Sequence, residues 1–425
     1  MAEESSSNQT SINITEVASS IQKSLRQKSP IPSKCSIFRV PDLLRGHNQK
    51  AFDPVLVSIG PFHHGKEKFQ PMQNIKLWYL DCLLNRAPTR KTCLMCFVEA
   101  ISRIEKECRA CYDGEIDFGE KEFIEMMVLD GCFIIEFFRK ISKGEERDNG
   151  DHAFDMPWMN WQLLNDLSLL ENQLPWLALD CLFNLTKSQT EQSSLPNLVL
   201  KAFPLERSTH DNLKPKHILD LLRKSLIGTY TGKRVGTTAS SNPRQIPSVI
   251  ELVQAGVKFK VGNKNKSLLD ITFNNGVMTI PKRFVSEQSE YFFRNLIAFE
   301  QCDRSFDYKM ASYAKLLDDL INTSQDVDFL KNKGILDLYL SAEEAANFFN
   351  RLYRDNVVGA NFLYSKLYDD VNAYCSRRRN KWRASLKRNY FHNPWTSLSV
   401  LAAIVILVLT FLQTFYSMVA YYHTS

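Results

Sequence analysis

Two adjacent histidines, His63 and His64, stand in the stretch "VSIGPFHHG" at residues 57–65. Imidazole is the commonest metal ligand and the commonest general acid or base near neutral pH. Neighbouring side chains point apart on a strand and diverge on a helix, so these two are poorly placed for one shared ion. One of them could still act as ligand or base with partners distant in sequence. No nucleophile elbow, HExxH motif or phosphate loop accompanies them. Gly60, Pro61 and Gly65 frame a shaped turn, which favours a histidine ring bonded to backbone. A second polar run, "LLENQLPW" at 169–176, sets Glu171, Asn172 and Gln173 among apolar residues, where they must be hydrogen-bonded if buried. Asp130 and Glu136 lie in an apolar run and are too isolated to read as a carboxylate pair.

Cysteine chemistry is the other candidate. Cys93, Cys96, Cys108 and Cys111 form two Cys-x2-Cys pairs with eleven residues between them, as a zinc ribbon does. The intervening "FVEAISRIEKE" has no Gly or Pro to reverse the chain and has helical periodicity. On one helix the pairs stand about 20 Å apart, too far for a single tetrahedral ion. The ten cysteines therefore read as reduced, mostly buried thiols. Neither catalytic residues, a cofactor nor a metal site can be assigned, and His63, His64 and Glu171 remain the candidate functional turn.

The elements that would hold these residues are mostly helical. Of 425 residues, 44% are hydrophobic and 24% charged, with 27 phenylalanines, so the chain buries a core. Residues 1–30 are rich in Ser, Glu and Asn and read as a disordered tail with no signal-peptide pattern. Helices are expected over 71–86, 91–112 and 121–140, and two more within 158–183, broken at Pro175. Residues 229–247 read as a linker, and 257–281 as a small antiparallel unit with its hairpin turn at Asn275-Gly276. Helices follow at 286–301 and 307–322, at the capping box Ser341–Glu344, and from about 360 to 388. The fold class is mainly α (α+β), with the α-rich domain over 31–390 and an anchor over 391–425.

That anchor is the strongest signal in the chain. Leu398 to Tyr422 gives 25 residues without a charge, and about 20 suffice to span hydrocarbon. Trp395 marks one end and Tyr416, Tyr421 and Tyr422 the other, as interfacial aromatics do. Gln413 and Ser417, one turn apart, offer a route to a homo-oligomer. One span near the C-terminus implies insertion after synthesis. Before it lie Arg377, Arg378, Arg379, Lys381, Arg383, Lys387 and Arg388, with no acidic residue from Val371 onward. Of 53 basic residues these seven account for the excess, which leaves 46 against 47 acidic ones and a near-neutral body. A nucleic-acid-binding body is thereby disfavoured, and the basic flank suits anionic lipid. Positive flanks stay cytoplasmic, so the body is expected in the cytosol at the plasma membrane or an endomembrane. The sequons at Asn184, Asn265 and Asn322 would then go unused.

Several ordered stretches, "RVPDLLR", "VSIGPFHHG", "MMVLDGCFIIEFF", "LLENQLPW", "AGVKFK", "LDITFNNGVMTIP" and "RNLIAFEQ", followed by the terminal span, resemble the plant family called domain of unknown function 247. The resemblance runs from about residue 35 to the C-terminus. It departs at Phe52 and Phe62, where the family usually has tyrosine. It implies a plant membrane protein with one C-terminal span, and some relatives are implicated in pollen self-recognition in grasses. It transfers no activity to any residue. The leading expectation is a membrane-anchored recognition or signalling protein with an unknown protein partner. The alternatives are an enzyme on a membrane-proximal substrate, with His63 or His64 as base and Glu171 as partner, and an oligomeric structural subunit.

Overall fold

The computed structural model describes residues 14–25, 34–46, 48–85, 90–143, 156–187, 193–203, 213–228, 230, 245–263, 267–303, 305–354, 362–377 and 394–424. Within the segment read as a bare tail, Ile14–Ser24 forms helix α1, which turns Ile14, Val17 and Ile21 to solvent. These three recur at helical spacing, a pattern that the Ser-rich composition conceals. The four-residue α2 (Asp42–Arg45) follows.

Three long helices then build the first half: α3 (Gln70–Asn85), α4 (Arg90–Arg109) and α5 (Glu120–Lys143). The apolar run at 126–138 is the buried heart of α5, where Phe133, Phe137 and Phe138 have no exposed surface. Helix α6 (Pro157–Asp166) ends nine residues before Pro175 rather than at it. Residues 167–174 run on without helix, and Pro175 caps α7 (Trp176–Thr186). Proline's fixed φ suits that entry position, so it opens the second helix and leaves the first to end elsewhere. Helix α8 (Leu195–Ala202) completes this half, and α5 packs against α3, α4, α7 and α8.

The second half opens with α9 (Ile218–Ile227) and α10 (Val249–Gln254). Most of the expected linker, residues 229 and 231–244, lies outside the described residues. Gly256, at φ +97°, ends the α10 segment and starts β1 (Lys258–Val261). The hairpin at Asn275-Gly276 joins β2 (Thr272–Asn274) to β3 (Val277–Ile280) antiparallel, as expected. The sheet is nevertheless mixed, because β1 lies parallel to β3 with Lys258 opposite Val277. Strand β2 therefore lies on the far side of β3 and not beside β1, and no local sequence signal announces that order. A second, parallel pair joins β4 (Arg283–Val285) to β5 (Leu336–Leu338).

Helices α11 (Glu287–Cys302) and α12 (Lys309–Leu320) match expectation. Helix α13 (Ser324–Asn332) was not expected, although Thr323 and Asp326 form its capping box. Ser341 and Glu344 cap α14 (Ala342–Leu352). In place of one long helix from about 360 to 388, helix α15 covers Ser365–Ser376 and ends at Arg377, whose ψ of 133° is not helical; residues 378–388 lie outside the described residues. Helix α16 (Pro394–Thr424) is the apolar one.

Buried side chains fall into two cores, one per half. The chain near residues 37–59 belongs to both. Ile37, Val57 and Ile59 enter the first core, while Phe38, Val40 and Phe52 enter the second. The loop after α6 also bridges them, with Leu167 and Leu174 in the first and Leu170 in the second.

Candidate functional site

At this seam the chain segment 55–60 pairs with no strand, so its amides need other acceptors. Asp166, the last residue of α6, accepts from the amides of Val55, Leu56 and Val57 at 3.1, 2.6 and 2.9 Å. Burial pushes its carboxyl above the ordinary range, although these amides and Gln162 pull the other way. Asn172 accepts from the Ile59 amide at 2.7 Å and donates to the Val57 carbonyl at 3.0 Å. Asp130 accepts from the Gly60 amide at 2.9 Å and pairs with Lys76, whose Nζ also donates to the Ser58 carbonyl at 2.6 Å. Asp130 is thus partnered by a lysine and not by Glu136. Gly60 sits at φ +70°, where an added Cβ would lie 2.6 Å from the Gln173 carbonyl oxygen.

The polar triplet of "LLENQLPW" is wholly used in this way. Gln173 donates to the carbonyls of Leu167 and Leu169, both at 2.8 Å, and accepts from the Leu219 amide at 3.1 Å. Glu171 accepts from the Val40 amide at 2.6 Å and from the Arg45 guanidinium. Asn295 of α11 joins the network, accepting from the Leu170 amide at 2.9 Å and donating to the Ala51 carbonyl at 2.7 Å. A buried polar network with every member satisfied fixes one arrangement of the elements it ties.

The two histidines diverge, as adjacent residues must. His64 is half-buried, 3.7 Å from Glu122 and edge-on to Phe118. His63 is buried and brought to Glu171, with Nε2 3.6 Å from Oε2. Lys66 lies 2.8 Å from Nδ1, and an ammonium only donates, so the ring proton belongs on Nε2. That Nε2 has no hydrogen-bond partner. Burial, with Lys66 beside it, lowers the His63 pKa to about 3, so the ring is neutral. Asp53, unremarked in sequence, completes the group. An atom from each of Asp53, His63 and Glu171 lies within 4.8 Å of the others, and Arg45 reaches both carboxylates, at 3.3 Å on the Asp53 side. Only the fold brings residues 45, 53, 63 and 171 together.

Phe52 and Phe62 are buried here without hydroxyls. Arg45 lies over the Phe52 ring at 5.7 Å and Arg39 over the Phe62 ring at 4.3 Å. The four cysteines are separated as expected. Cys93, Cys96 and Cys108 lie along α4, and Cys111 follows its end. No described residues around them form a metal cluster; the only such group among the described residues is the one at Asp53.

In α16 the stretch Leu401–Val419 has a mean hydropathy of 2.1 and no part of it is buried against the body. Leu398 is exposed as well. Of the seven basic residues before it only Arg377 is described, over the Tyr374 ring at 5.7 Å; Arg378 to Arg388 lie outside the described residues, as does the Tyr422 side chain.

The DUF247 family, plant proteins of unknown function, matches residues 37–409. The chain belongs to this family. A UPF0481 protein of Arabidopsis thaliana, At3g47200, is 30% identical over 91% of this chain and 87% of its own length. A second, At3g02645, is 24% identical over 89% of each chain. No solved structure matches significantly. The residues that supply the seam, namely the 57–65 turn, Asp130, the Glu171–Gln173 triplet and Asn295, all lie within the matched range.

Proposed function

We propose that this DUF247 chain is a membrane-held recognition protein, with its body on the cytosolic side as a rigid surface for a protein partner. The observation that carries the reading is α16, whose apolar stretch finds no cover on the body. Nineteen such residues exposed to water would be strongly unfavourable, and a bilayer removes that cost. The recognition half is supported by aromatic side chains left at the surface. Trp158 and Trp161 share a face of α6, each more than half exposed, and Phe284 packs edge-on to Tyr339 at 4.8 Å on the β4–β5 pair. Tryptophan and tyrosine dominate binding hot spots. Self-recognition, in which some relatives are implicated, is one setting for such a surface.

Proximity labelling of the tagged full-length protein in its native tissue, followed by reconstitution with the top partner, tests the reading. Binding that weakens at least about tenfold in a Trp158→Ala, Trp161→Ala double variant is the expected result. Extraction of the native protein from membranes by alkaline carbonate would overturn the anchor.

An enzyme with His63 as base and Glu171 as partner has their 3.6 Å approach in its favour. Against it, both are buried and Glu171 is already bound by Val40 and Arg45.

A further inference from the structure

We propose that Asp53, His63 and Glu171 form a binding site for a divalent transition-metal cation of the zinc class, with Arg45 as the internal cation that the metal displaces. The inference is independent of the recognition reading, and it joins residues from three separate parts of the chain. One ligand atom of each lies within 4.8 Å of the other two, a spacing that small rotations close onto one ion. A nitrogen and two carboxylate oxygens are a donor set that zinc accepts, with water in a remaining position.

His63 points to a ligand independently of the carboxylates. Its side chain is 4% exposed, and its Nε2 is turned toward Glu171 yet too far for a hydrogen bond. A buried polar atom without a partner is costly, and a native structure rarely leaves one without a reason. A metal ion between Nε2 and the two carboxylates would satisfy it.

Charge balance points the same way. Two carboxylates and a neutral imidazole sum to two negative charges, which one dication neutralises. Arg45 supplies one positive charge, spread over Asp53 and Glu171. Its side chain is 17% exposed, so it has a route outward. Asp53 is 37% exposed and opens the site to solvent, which provides an entry path. Glu171 keeps one oxygen on the Val40 amide, which orients the other. On metal binding the ring proton of His63 moves from Nε2 to Nδ1. The imidazole stays neutral and releases no proton, and Lys66, exposed at the surface, gives up its contact with Nδ1. His64 takes no part.

The test uses tag-free full-length protein in detergent, stripped with a chelator and then titrated. Zn²⁺ binding is followed by calorimetry and melting temperature, and Co²⁺ binding by its visible d–d absorption. One equivalent of either ion and a raised melting temperature are expected in the wild type. Binding should be lost in His63→Gln and in Asp53→Asn. In Arg45→Gln it should be roughly tenfold tighter or more, because a competing cation has gone. Asp53 lies nearest solvent, so Asp53→Asn carries the test if His63→Gln does not fold. The proposal is overturned if the wild type binds neither ion. It is overturned equally if Asp53→Asn binds like the wild type, which would move the metal to the cysteines, or if Arg45→Gln binds no tighter.

Discussion

His217 sits wholly inside the body, its Nδ1 accepting the Asp220 amide at 3.3 Å to cap α9. Its Nε2 is 3.0 Å from the Ser36 carbonyl oxygen. Burial lowers its pKa to about 4, against 6.5 for a free histidine, and His63 is lowered to about 3. Between these limits the unfolded chain binds more protons than the folded one. The contribution of each histidine is therefore whole above pH 6.5 and is lost as pH falls toward about 4 or 3. Asp318, raised to about 6 by burial and by Asp319, acts in the opposite sense between its ordinary 3.8 and that value, so a variant isolates the histidine better than the wild-type profile does. His217→Asn retains capping ability and loses the Ser36 contact. We expect it to cost about 1–3 kcal/mol at pH 7 in urea unfolding. The difference from wild type should shrink as pH falls from 6.5 to about 4, by up to about 1.4 kcal/mol per pH unit. A difference independent of pH would show that His217 does not titrate with folding.

The 55–60 segment is held between α3, α5 and α6 by hydrogen bonds from side chains. Lys76 and Asp130 form its buried ion pair, each about 1% exposed. Lys76→Met leaves the Asp130 carboxylate buried with only the Gly60 amide to hold it. We expect a loss of about 3–5 kcal/mol, read from the urea midpoint. Adding Asp130→Asn removes that lone charge while its oxygen can still accept from Gly60, so the double variant should recover part of the loss. A double variant no more stable than Lys76→Met would refute the charge argument. Gly60→Ala tests the same turn by shape. Its Cβ would meet backbone oxygen at 2.6 Å on a residue already at φ +70°, and we expect a loss of more than about 2 kcal/mol in the same assay. An alanine protein of wild-type stability would mean that the turn relaxes freely.

Across the whole molecule the largest consequence is where the body resides. Asn184 and Asn322 are exposed, so either sequon would be open to modification in the secretory lumen. With the body in the cytosol, glycosidase treatment of the native protein should leave its mass unchanged. A shift traced to Asn184, Asn265 or Asn322 would put the body on the other side. Removing residues 394–425 should release the body from membranes in fractionation, since the apolar part of α16 buries nothing against it.

Much of this was legible in sequence because its causes are local. Helix periodicity, the Asn275-Gly276 hairpin, the Ser341 capping box and the apolar C-terminal helix each depend on a few neighbouring residues. The polar triplet at Glu171–Gln173 was recognisable as a network, because buried polar groups must find partners. What those partners are was not legible. Lys76 meets Asp130 across 54 residues, and Arg45 meets Glu171 across 126. The parallel approach of β1 to β3, and of β4 to β5, is likewise a matter of crossover and packing. Sequence marked His63 as a residue that could do chemistry. Only the tertiary structure parted it from His64 and set it beside Asp53, Glu171 and Arg45, because contacts at such separations depend on how two cores close on one seam.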